Sequence, residues 1–88
     1  MVSNDAKHNR TFFEIISQIL GACHRNTKKT VLMNGSNMSS KQLTVYLDLV
    51  LGARLLVIEN DGSHPLFRIS SKGRYFLKAY EDLKTLMK

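Results

Sequence analysis

The apolar positions of this chain fall into two kinds of period. From Arg10 onward, Phe12, Phe13, Ile16, Ile19, Leu20 and Cys23 recur at the i, i+3/i+4, i+7 spacing of an amphipathic helix. Asn9 or Thr11 can cap its start, the pattern fades by His24-Arg25-Asn26, and Gly21 weakens the last turn. The next stretch, "KKTVLMNGSNMSSKQLTVYL" (28–47), carries two opposed local signals. Asn34-Gly35 is a strong hairpin-turn dipeptide. Ser39-Ser40-Lys41-Gln42, just ahead of an apolar run at helical spacing, is instead a capped helix start. A hairpin needs a strand on each side of its turn. "TVLM" could serve as the first, but "SNMSS" has one apolar residue and little β-propensity. Leu43, Tyr46, Leu47 and Val50, extended to Leu51, continue at helical spacing for longer than a hairpin arm. The pattern therefore predicts a short helix from Thr30, capped by its hydroxyl, to about Ser36, then a turn and a second helix from the Ser39 cap.

Beyond Gly52 the period changes to that of strands. "LLVIEN" (55–60) and "LFRIS" (66–70) are rich in β-branched and aromatic residues and are separated by "DGSHP", which predicts a β-hairpin with a loop longer than two residues. A short strand around Thr27–Lys29 can pair with it as a third. Ser70 or Ser71 then caps a final helix running from Lys72 to the end. Three helices, a two-stranded hairpin and a last helix make an α+β, mainly α chain in the order of a winged helix-turn-helix, with the hairpin as the wing.

Composition narrows the functional classes. Eighty-eight residues make one domain, of a size that buries roughly 60–65% of the surface its unfolded chain exposes. Dimer formation is a common reinforcement for so small a core. No apolar run is long enough to span a bilayer, and "MVSNDAKHNR" has no apolar export segment, so no membrane partner is expected. The single cysteine, Cys23, cannot form an internal disulfide, which fits a reducing, cytoplasmic setting. Thirteen basic against seven acidic residues give a net charge of +6 and a pI near 9.8. That balance favours a polyanionic partner, most often nucleic acid. The charge is also patterned: no acidic residue occurs between Ile15 and Leu47.

The segments "KKTVLMNGSNMSSKQLTVYLDLVL", "LLVIEN" and "FRISSKGRYFL" together resemble the small archaeal winged helix-turn-helix proteins, both predicted transcriptional regulators and abundant ten-kilodalton chromatin-associated proteins. In that family a Thr opens the second helix, here Thr30, and an Asn-apolar-Ser turn leads into the recognition helix, here Asn37-Met38-Ser39. A Tyr-Leu pair lies within that helix, here Tyr46-Leu47, and a Thr/Ser-x-Lys-Gly start opens the last helix, here Ser70-Ser71-Lys72-Gly73. The resemblance covers about Arg10 to the end. It departs at Arg54, where the family has a glycine closing the recognition helix, while the nearest glycine here is Gly52. The chromatin-type members also carry a long coiled-coil helix at the C-terminus; ending at Lys88, this chain has room for four or five turns.

With Leu43, Tyr46, Leu47 and Val50 turned inward, Ser40, Lys41, Thr44, Val45 and Asp48 are left outward on the recognition helix. The N-terminal residues of such a helix reach base edges in the major groove, and its N-terminus with Ser39 favours a phosphate. Lys41 can donate to guanine or phosphate, Gln42 can pair with adenine, and Thr44 or Val45 can touch a thymine methyl. Gln42 also stands at capping-box spacing from Ser39, so its amide can instead fold back on the helix start. Asp48 repels phosphate, which confines contact to the first two turns. Lys28 and Lys29, just before Thr30 and near Arg25, can clamp phosphates at the groove rim or remain solvated surface charges. The wing is poorly basic: Glu59 and Asp61 flank its turn, leaving His64 and Arg68 as candidate contacts.

Enzymatic readings fare badly. His8, His24, His64, Cys23 and the carboxylates show no metal-ligand spacing, and no Gly-rich phosphate loop follows a strand. The serines sit where helix caps belong. No catalytic residue, metal, cofactor or small-molecule ligand is expected. On the last helix Phe76, Ala79, Leu83 and Leu86 repeat at the 3-4-3 spacing of a coiled-coil seam, widened by Leu77, Tyr80 and Met87. A stripe that wide exceeds what the first helix can cover and suggests pairing with a second copy. The expected organisation is a flexible tail over 1–9, a winged helix-turn-helix domain over 10–71, and a dimerisation helix over 72–88. The expected role is a homodimeric binder of double-stranded DNA at the nucleoid, as a regulator or small chromatin protein. The rival is a winged helix used for protein–protein contact, its charge incidental.

Overall fold

The computed structural model describes residues 12–60, 62 and 64–88. The expected tail over 1–9, the helix start at Arg10, the candidate caps Asn9 and Thr11, and Asp61 of the wing lie outside them. Among the described residues seven elements follow in chain order: α1 (Phe12–Ala22), β1 (Thr27–Lys28), α2 (Lys29–Ser36), α3 (Ser40–Gly52), β2 (Leu56–Asn60), β3 (Pro65–Ile69) and α4 (Ser71–Leu86). The strands form one antiparallel sheet in the order β1-β3-β2. Phe67 of the central strand faces Ile58 on one side and Thr27 on the other. This is the winged helix-turn-helix arrangement that the apolar pattern predicts, third strand included.

One core joins the elements. Ile16, Ile19, Leu20 and Cys23 from α1 meet Leu32 from α2, Leu43, Leu47 and Val50 from α3, and Leu56, Phe67 and Ile69 from the sheet. Burial pushes the Cys23 thiol up to about 11, because no water remains to solvate a thiolate. Phe12 and Phe13 do not join this core, contrary to the periodicity, and remain 46% and 54% exposed. They sit in the first turn, beyond the reach of the sheet, and make ring contacts at the surface: Phe12 with Tyr46 and Phe13 with Phe76.

The helix ends explain how the chain turns. Asn34-Gly35 lies inside α2, and the reversal comes at Asn37, whose left-handed φ of 58° closes that helix. Met38 is buried beneath the turn, and Ser39 caps α3. Thr30 does not cap α2. That helix begins one residue earlier, at Lys29, because Lys28 is held extended by its pairing with Leu66, and no side chain caps the start. At the far end of α3, Leu55 N–H donates to the Val50 carbonyl and Arg54 N–H to that of Leu51. This is a Schellman closure, and Arg54 takes its left-handed position at φ 64°. The recognition helix therefore runs its full length, and Arg54 adopts the conformation usually given to glycine.

Helix α4 starts at Ser71, capped by Ser70 Oγ accepting from Gly73 N–H at 3.0 Å. It is pressed onto the base of the wing. A Cβ on Gly73 would overlap the Leu55 carbonyl oxygen and stand 2.7 Å from Ile69 Cγ1, so only glycine fits. Lys72 Nζ donates to the Ala53 carbonyl at 2.9 Å, and Ser70 Oγ to that of Arg54 at 2.7 Å, so α4 is tied to the end of α3. From there α4 packs along α1. None of the described helices is long and apolar enough to cross a membrane.

Candidate functional site

The first two turns of α3 project a polar, acid-free surface. Ser39, Ser40, Lys41, Gln42, Thr44 and Val45 are all exposed, as is Asp48 one turn later. The capping box is complete: Gln42 N–H donates to Ser39 Oγ at 3.1 Å, and Ser39 N–H donates to Gln42 Oε1 at 3.2 Å. The Gln42 carbonyl oxygen is therefore engaged at the helix start, as the capping-box spacing allows, and the Nε2 donors remain its means of meeting another molecule.

Lys28, Lys29 and Thr30 come together with His64 and Pro65 of the wing around a shallow cleft of about 100 Å³. The two strands that bring them there, β1 and β3, are hydrogen-bonded neighbours, so residues some thirty-five positions apart share one surface. Lys28 and Thr30 are exposed, whereas Lys29 is half-buried. Its ammonium donates to Thr44 Oγ1 at 2.7 Å, and that hydroxyl in turn donates to the Ser40 carbonyl at 2.9 Å. Sequence reasoning names both Lys29 and Thr44 but not their pairing. They lie fifteen residues apart on different helices, and no periodicity or motif signals such a contact.

Arg68 is occupied on the wing. Its guanidinium meets Glu59 Oε2 at 2.6 Å across β2 and β3, with both side chains about half-exposed. Val57 faces Arg68 and Leu66 faces Glu59, so the ion pair runs diagonally over one face of the hairpin. Arg68 is thus held within the sheet, and His64 and Pro65 are the exposed wing residues at the cleft. Among the described residues, no group of three or more His, Cys, Asp or Glu side chains is placed to hold a metal ion.

The second candidate surface lies on α4. Phe13, Phe76, Ala79, Tyr80 and Leu83 line an apolar groove of about 200 Å³ between α1 and α4. Farther along the same helix Leu83, Leu86 and Met87 are 56%, 79% and 79% exposed. The predicted seam is therefore half-covered by α1 near Phe76 and bare toward the C-terminus.

These features agree with the comparisons to known proteins. The chain superposes on Sso10a-2, a DNA-binding protein from Sulfolobus solfataricus, with a TM-score of 0.80 and 22% identity over 89% of this chain and 82% of that one. It also superposes on AF1382 from Archaeoglobus fulgidus with a TM-score of 0.72 and 14% identity, covering 93% of this chain and 97% of that one. At such identities the likeness is one of fold. No curated protein sequence matches. The winged helix-turn-helix family model matches residues 9–88. Element order, sheet order and the Asn37–Ser39 turn agree with that match, and the chain belongs to the winged helix-turn-helix family.

Proposed function

We propose that this protein binds double-stranded DNA by setting the start of α3 into the major groove, with Lys28 and Thr30 on the backbone at the rim. The observation that carries this reading is the surface itself. Lys41, Thr44 and Val45 stand exposed on the first two turns of α3, Lys29 joins Thr44 to the cleft that Lys28 and His64 line, and no carboxylate occurs in the sequence from Ile15 to Leu47. Family membership and the fold shared with a DNA-binding protein support it. The chemistry asked of the site is binding, with no catalytic step. The bare apolar length of α4 fits a second copy of the chain, which makes the active species a homodimer presenting two α3 helices. Such a dimer suits a transcriptional regulator or a small chromatin protein acting at the nucleoid.

Titration of duplex binding against salt tests this directly. With about four to six phosphates neutralised per dimer, the logarithm of affinity should fall with that of salt at a slope of about −4 to −5. Salt-independent association, or none at low ionic strength, rejects the reading. The Glu59–Arg68 pair, which leaves the wing with little free positive charge, favours the rival of a protein-contact module. That rival requires no salt-dependent affinity for duplexes. Lys41→Ala separates two modes within the DNA reading: a uniform loss on all duplexes marks a phosphate contact, and a loss confined to one sequence marks guanine.

A further inference from the structure

The Lys29–Thr44 contact changes what α3 can offer to a base pair. A threonine has one hydroxyl hydrogen, two lone pairs and a methyl group. In Thr44 the hydrogen is committed to the Ser40 carbonyl at 2.9 Å, and one lone pair receives the Lys29 ammonium at 2.7 Å. The hydroxyl therefore has no hydrogen to give to the acceptors that guanine, adenine and thymine present in the major groove. Oγ1 keeps one lone pair, which can only accept, on an atom already engaged by the helix and by Lys29, and the other group that Thr44 can present is its methyl. Val45, exposed beside it, adds two more. Lys41 precedes them at i−3 and i−4, on the same side of the helix. A cation thus stands one turn before a small apolar patch in an otherwise polar surface.

Resting on the DNA-binding reading above, we infer that Thr44 and Val45 form a reader of the thymine 5-methyl group, and that Lys29 is the positioning residue that holds Thr44 in this role. The 5-methyl is the apolar feature of the unmodified major groove, and contact with it removes apolar surface from water on both sides. Lys29 consequently acts through Thr44, with one of its three ammonium hydrogens on that hydroxyl. Its half-buried position, with its ammonium on a hydroxyl of the neighbouring helix, is that of a clasp between α2 and α3.

The test compares an A·T-rich duplex with the same duplex carrying deoxyuridine in place of every thymidine, so that only the 5-methyl groups differ. Each methyl well contacted is expected to be worth about fourfold in affinity. The wild-type protein should therefore prefer the thymidine duplex by at least that factor at fixed salt. Thr44→Val keeps a methyl but discards the hydroxyl that Lys29 holds, so it should lower the preference as far as Lys29→Met does and by less than Thr44→Ser. Thr44→Ser keeps the hydroxyl and discards the methyl, and should lose about fourfold of it. Lys29→Met keeps the aliphatic stem and removes the clasp; it should lower the ratio between the two duplexes, whereas loss of a phosphate contact would weaken both alike. Equal wild-type affinity for the two duplexes overturns the inference while leaving salt-dependent binding intact. The same ratio for Thr44→Ser and Thr44→Val removes Thr44 from it. No binding to either duplex at low salt rejects the DNA reading, and this inference with it.

Discussion

Arg54 shows what a single residue contributes to the exit from the recognition helix. It holds a left-handed φ of 64° so that the chain can leave α3 directly into the sheet. That conformation costs a residue with a Cβ roughly 1–2 kcal/mol, part of which glycine returns in the greater entropy of its unfolded state. Arg54→Gly is therefore expected to raise stability by about 0.5–1 kcal/mol, seen as a higher urea midpoint at unchanged slope. Gly73 is the opposite case. Its Cβ would overlap the Leu55 carbonyl, so Gly73→Ala should cost about 1–3 kcal/mol by the same measurement. Cys23 gives a pH signature. Its thiol is raised from 9.0 to about 11 in the folded state, so the folded protein holds its proton more tightly than the unfolded one. The associated stability is complete below pH 9.0 and is lost as the pH rises toward about 11. Comparing Cys23→Ala with wild type in urea melts across that range should show the wild type losing more stability with rising pH.

At the scale of elements, the helix-turn-helix was legible because local signals converged. The Ser39–Gln42 box, the Asn37–Met38 turn and the spacing of Leu43, Leu47 and Val50 all favoured two helices, and Asn34-Gly35 was absorbed into α2. What could not be read depended on contacts across elements. Thr30 looked like a cap, but pairing of Lys28 with Leu66 of a strand much later in the chain moved the helix start. Phe12 and Phe13 kept the helical spacing yet lay beyond the sheet. The Lys29–Thr44 and Glu59–Arg68 pairs joined residues that no repeat relates. Helix α4 yields the prediction proper to this scale. Leu83→Asp puts a carboxylate where the dimer would bury it, which is strongly unfavourable without a partner. In sedimentation the variant should run as a monomer with unchanged helical signal and weaker duplex binding, since two half-sites no longer act as a unit. A wild type that already sediments as a monomer rejects the dimer. Leu83 is 56% exposed, so unfolding of the variant is not expected; Met87→Glu, farther out, provides a second probe.

For the whole molecule, the net charge of +6 works against compaction, because like charges repel more strongly in the folded chain. A polyanion that binds the folded form relieves this and adds its own linkage. At a hundred times the dissociation constant a duplex should stabilise the protein by about 2.7 kcal/mol. For a domain of this size that is a rise in melting temperature on the order of 10 °C. In thermal melts the shift should be large at low salt and vanish at high salt, where the duplex dissociates. A shift that persists at high salt would point to an apolar contact instead.

The two-residue strand β1 also sets a mechanical limit. Lys28 is laced to β3 through its pairing with Leu66, while Ile69 N–H, on the same strand, donates to the Cys23 carbonyl at the end of α1. The rim lysine and the wing histidine at the cleft are therefore jaws of one caliper, Lys28 set within the sheet and His64 just ahead of its central strand. Lys28 cannot move away without breaking its pairing with Leu66. A duplex whose groove does not match the gap between the jaws would have to do the bending itself, and the stiffness of its base steps would become part of what the protein senses.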